Sequence, residues 1–174
     1  MPVFNVGDRV SVRQVGVGSV VAVRRIDAFG GGREFYEITP DRQTSTLFIP
    51  TDLDPAERGL RKVMSATQAR EVLEVLSAPT TLLSDPEWRR TLKERQKASE
   101  TADQAALVRD MQARVTYRRL TAQEKVYLEK AVEVLVDEMA EALGVAREEV
   151  KQSVERTLAR TVEREKEKAA AAAR

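Results

Sequence analysis

The chain has 174 residues, 42% hydrophobic and 33% charged, with 29 basic and 28 acidic side chains for a net charge of +1. Near-neutrality means that binding to a polyanion has to come from a local patch, because no global field draws one in. The absence of cysteine and histidine excludes disulfides and thiolate metal sites, and it removes the commonest general base and metal ligand.

Residues 1–50 read as strands. Val10-Ser11-Val12, Gly18 to Val23, Phe35 to Ile38 and Thr44 to Pro50 alternate or are β-branched. Val6-Gly7-Asp8, Val15 to Gly18, Gly30 to Gly32 and Thr39-Pro40-Asp41 separate them as turn signals. Four or five short strands with hairpin-sized gaps predict a small, strongly bent sheet or barrel. Gly30 to Gly32 reads as a hairpin tip, since no helix follows to make it a phosphate loop.

After Gly59 the period becomes helical. A first helix, capped by Ser65 or Thr67, carries Ala69, Val72, Leu73 and Leu76 and stops at Ala78-Pro79. A second runs from about Asp85 to Ser99. A third runs from about Thr101 to Arg118 with Leu107, Met111 and Val115 on one stripe. Thr121 and Glu124 form a capping box for a long fourth helix with Leu128, Val132, Leu135 and Met139, stopped by Gly144. A fifth carries Val150, Val154, Leu158 and Val162. The charged, then alanine-rich end from Glu163 extends that helix or frays.

The second helix holds the single tryptophan. Ser84 and Glu87 form a capping box and Pro86 fits the first turn, so Trp88 stands at the helix tip. Arg89, Arg90, Lys93, Arg95 and Lys97 follow, with Arg89, Lys93 and Lys97 on one stripe at about 100° per residue. Two readings stay open. A flat apolar ring at the tip of a basic helix suits a wedge on a polyanion, with cations on phosphates and the ring against a base step. Alternatively Trp88 packs between helices, as most tryptophans do, and the cations are a solvated face.

No catalytic constellation stands out. Asp137, Glu138, Glu141, Glu148 and Glu149 read as a solvated helix face, and no nucleophile has an identifiable base. No apolar run reaches membrane-spanning length and the N-terminus lacks a signal-peptide layout, so a cytoplasmic, non-enzymatic protein without metal or cofactor is expected. The uncharged Thr44–Ile49 run is either an internal strand or an edge that accepts a partner's strand. Arg118, Arg119 and Lys125 either continue a basic surface or are ordinary solvated charges.

Taken in order, Val3-Phe4-Asn5-Val6-Gly7-Asp8-Arg9-Val10, Gly16-Val17-Gly18-Ser19-Val20, Phe35-Tyr36, Phe48-Ile49-Pro50, Gly59-Leu60-Arg61, Ala78-Pro79, Trp88-Arg89-Arg90 with Lys93, and Leu120 to Lys125 closely resemble the CarD family of bacterial transcription regulators. The resemblance spans about residues 3–160. It implies an α+β protein: a small N-terminal Tudor-like β-barrel, residues 1–62, followed by an all-α five-helix domain, residues 63–162, with 163–174 as a tail. It implies that the barrel binds the RNA polymerase β subunit by edge-strand pairing, here through Thr46, Leu47, Phe48, Ile49 and Pro50, with Arg24 or Arg25 (Arg25 by preference) as the basic contact in place of the one that Phe48 lacks. The helical domain would meet promoter DNA at the upstream fork of the transcription bubble. There Trp88 would wedge into the minor groove, and Arg89, Arg90, Lys93 and Lys125 would contact DNA. The protein would then act as a monomer that associates with the nucleoid through polymerase and stabilises the open complex. In this sequence Phe48 stands where the family often has a basic residue. The rival reading is a protein–protein adaptor whose helical half binds no DNA.

Overall fold

The computed structural model describes residues 3–27, 32–80, 83–98 and 100–172. The chain divides into two compact units, Met1–Val63 and Met64–Arg174, and its class is α+β.

The first unit is an antiparallel sheet of β1 (Arg9–Val12), β2 (Gly16–Ile26), β3 (Arg33–Pro40), β4 (Leu47–Pro50) and β5 (Leu60–Lys62), in the order β4-β3-β2-β1-β5. Among the described residues the ladder does not close on itself, so β4 and β5 are its two edges. The β5 pairing with β1 is an element that sequence periodicity missed, because three residues are too few to show a period. β2 is longer than expected and bends at a bulge between Val20 and Ala22, which leaves Val21 exposed. A bulge adds twist and curls a short sheet around its core. That core is Phe4, Val10, Val12, Val20, Tyr36, Ile38, Ile49 and Leu60. Phe4 meets the Tyr36 ring edge-on at 5.7 Å, and the Val3 amide donates to the Tyr36 hydroxyl oxygen at 2.7 Å, which gives the buried phenol oxygen a partner. Gly18 has a steric reason: a Cβ there would lie 2.6 Å from the Thr39 carbonyl oxygen. The Gly30–Gly31 part of the expected hairpin tip lies outside the described residues, while the strands it would join pair with each other.

The second unit has five helices: α1 (Ala66–Ser77), α2 (Asp85–Arg95), α3 (Thr101–Arg114), α4 (Ala122–Leu143) and α5 (Arg147–Ala172). Ser65 caps α1 and Thr121 caps α4, both through capping boxes, and Gly144 takes a left-handed φ of 65° to stop α4, as the local signals predict. Leu76, Leu107, Met111, Leu135 and Met139 are fully buried at the centre.

Three expectations need correction. α2 ends at Arg95 rather than near Ser99, which itself lies outside the described residues. α3 ends at Arg114, so Val115 falls off the stripe and is 47% exposed. Glu138 is fully buried rather than solvated, and accepts the Met64 amide at 2.7 Å. Of the two alternatives for the stretch from Glu163, extension holds: residues 163–172 continue α5 without a break. Thr161 and Glu165 carry its buried stripe onward, while Val162 is only half-buried. The Thr161 hydroxyl donates to the Leu76 carbonyl at 3.1 Å, and Arg164 donates to the Ser77 and Ala78 carbonyls at 3.0 and 3.1 Å. α5 thus caps the C-terminal end of α1.

Candidate nucleic-acid interface and sheet edge

Trp88 is 2% exposed. This overturns the exposed ring that the resemblance implies and agrees with the packed alternative that the helix position left open. The cause is the helical period combined with a set of long-range partners. On α2, Leu92 follows Trp88 one turn on and is half-buried, whereas Arg90 and Lys93 lie at about 200° and 140° from it and face out. The indole N–H donates to Glu124 Oε1 at 3.3 Å. The Arg114 guanidinium sits 5.0 Å from the ring centroid, a cation–π geometry. Both the polar edge and the π face of the indole are therefore matched inside the fold.

A four-charge cage surrounds this ring. Arg114 pairs with Asp85 and donates to the Leu83 carbonyl at 2.8 Å. Arg118 donates to Glu124 Oε1 at 2.5 Å and lies 3.7 Å from Asp85. Glu124 Oε2 accepts the Thr121 amide at 2.8 Å. Burial alone would raise the Glu124 carboxyl. The hydrogen bonds from Arg118, the Thr121 amide, Trp88 and the Thr121 hydroxyl outweigh it and bring the pKa to about 2. The cage is electrically balanced, so it positions α2 without adding to the surface potential.

The outer face of α2 differs. Arg89, Arg90 and Lys93 are exposed. Arg89 and Lys93 make no ion pair or hydrogen bond with any described residue, and Arg90 feels only the nearby Glu87. Arg95 instead turns inward to Asp110 at 2.6 Å. Lys125 is exposed on α4 but opens onto a separate groove with Arg119, Val115 and Leu128. The structure therefore brings Arg89, Arg90 and Lys93 together and does not add Lys125 to them. Arg118, read as a surface charge, belongs to the cage. Sequence reasoning missed Arg114 and the Trp88–Glu124 bond, because partners 36 positions apart leave no local pattern.

In the sheet, β4 pairs only with β3. The Thr51 amide bonds the Glu34 carbonyl, so by antiparallel alternation Ile49 and Leu47 also face β3, and the main-chain groups of Phe48 point to the open edge. The Phe48 side chain is 47% exposed and Ile49 is buried. Leu47 and Pro50 are half-buried, and Thr46 is exposed just before the strand. Arg25 stands on β2, with β3 between it and β4, and lies 3.9 Å from Asp27; it is not on that edge.

A small sheet with an open edge, joined to a helical unit that displays a basic helix, is the architecture of a binding protein. Residues 71–155 match the model of the CarD C-terminal domain. Over those residues the helical unit is similar to the CarD family, and the match supports a transcription regulator. It is also similar, at 22% identity over 151 residues, to the Bacillus subtilis (strain 168) protein named "Putative transcription factor YdeB"; the match covers 85% of this chain and 97% of that protein. No helix among the described residues is long and apolar enough to cross a membrane.

Proposed function

We propose that this chain is a regulator that tethers to the RNA polymerase β subunit through β4 and holds promoter DNA at the upstream fork with the outer face of α2. The observation that carries the reading is the exposed, unpaired Arg89 and Lys93 beside Arg90, on a helix pinned from behind by Trp88. Three cations fixed on one face neutralise phosphates without reading sequence. A net charge of +1 makes free binding weak, so the tether acts by raising the local concentration of the basic face at the fork.

On the polymerase side, support comes from the uncovered β4 edge, where the amide and carbonyl of Phe48 can take up a strand. Open complex is favoured only by the difference in affinity between melted and closed DNA. Trp88, held in its cage, serves this reading as the anchor of α2, and the exposed minor-groove wedge is set aside. The test is binding to forked and to fully paired promoter DNA across a salt series, with and without core RNA polymerase. Salt-sensitive binding that polymerase strengthens is expected. Polymerase binding without any DNA contact would favour the adaptor.

A further inference from the structure

A cleft of about 360 Å³ opens beside the Trp88 cage. Trp88 and Leu92 form its apolar wall, Gln96 and Gln123 bring two carboxamides, and Arg89 stands at its border. Neither carboxamide bonds to any described residue. Asp85 and Glu124 also line it, but the cage arginines already hold both carboxylates, so the cleft is not a cation site. Trp88 is too buried to be an open stacking platform; it forms the back of the cavity. A carboxamide presents a donor and an acceptor side by side, which is the complement of a base edge. An apolar wall, two such groups and a nearby cation match the pattern by which a base taken out of its stack is held.

We propose that this cleft takes an unstacked nucleobase from a single-stranded segment, with Gln96 and Gln123 on the base edge and Arg89 on the adjoining phosphate. The inference rests on the nucleic-acid reading above and deepens it, because an unstacked base exists only where the duplex has opened. The cleft then supplies the preference for melted DNA that phosphate contacts alone do not give.

Trp88, the single tryptophan, reports directly on the cleft. Its fluorescence in the full chain is followed during titration with an oligothymidine, with the same backbone made abasic, and with thymidine monophosphate. The oligothymidine is expected to change Trp88 emission and to bind more tightly than the abasic strand. Gln96→Ala and Gln123→Ala should each weaken oligothymidine binding by about threefold to tenfold and leave abasic binding unchanged. Equal binding of both strands, with Trp88 silent, would overturn the base site while the phosphate contacts stand. A mononucleotide that saturates the Trp88 response as readily as the strand would overturn the strand as ligand. Failure of both strands to bind at low salt and high strand concentration would overturn the base site, while the nucleic-acid reading falls only if fork binding is also absent with core polymerase present.

Discussion

At Glu124 one carboxylate serves two helices: it closes the capping box of α4 and accepts the Trp88 indole of α2. Because the folded state holds it at about 2, below its ordinary 4.5, its charged form stabilises the fold. That contribution is complete above about pH 4.5 and is lost as pH falls toward 2. Thermal melts of the helical unit should therefore weaken across that window, and Glu124→Gln should flatten the acid slope while lowering stability at neutral pH; an unchanged slope would remove Glu124 from the cage. Trp88→Ala should cost about 3–5 kcal/mol, the range for a buried aromatic, measured by denaturant melting. A loss within about 0.5 kcal/mol would mean an exposed ring. The Thr121–Glu124 box was legible in sequence because it spans three residues. The indole partner was not, because the fold brings it from another helix.

Among the elements, β4 and α5 make separate claims. In β4 the Phe48 amide points to the open edge while Leu47 and Ile49 bond β3. Phe48→Pro removes an outward donor and is tolerated at an edge, so polymerase pull-down should fall while the circular dichroism of the full chain stays unchanged. Full pull-down with an intact sheet would clear this edge of the contact. In α5, Arg164 holds two carbonyls at the end of α1. Arg164→Ala should cost about 0.3–1 kcal/mol, as expected for a cation at a helix C-terminus, and truncation at Val162 more, since it also removes the buried Glu165. Long helices and their caps were readable from period and local chemistry. β5 and the docking of the α5 end were not, since one is too short for a period and the other depends on residues some 85 positions away. The uncharged β4 run was visible in sequence, but only the ladder order shows that it is an edge.

At the scale of the whole molecule, the proposed tether lies in one unit and the proposed DNA contact in the other, and the two should fail independently. Substituting Arg89, Arg90 and Lys93 by Ala should flatten the salt dependence of fork binding by about one unit per lost phosphate contact, equally across sequences, and leave polymerase pull-down intact. A strongly sequence-dependent loss would indicate base readout by these cations instead. The most direct measurement is the half-life of a promoter open complex challenged with a competitor, taken with core polymerase and initiation factor alone, with this chain, and with its Arg89, Arg90 and Lys93 triple-alanine variant. The account predicts a longer half-life with the chain and a return toward the polymerase-only value with the variant. A half-life that the chain leaves unchanged, with polymerase binding demonstrated in the same mixture, would contradict it.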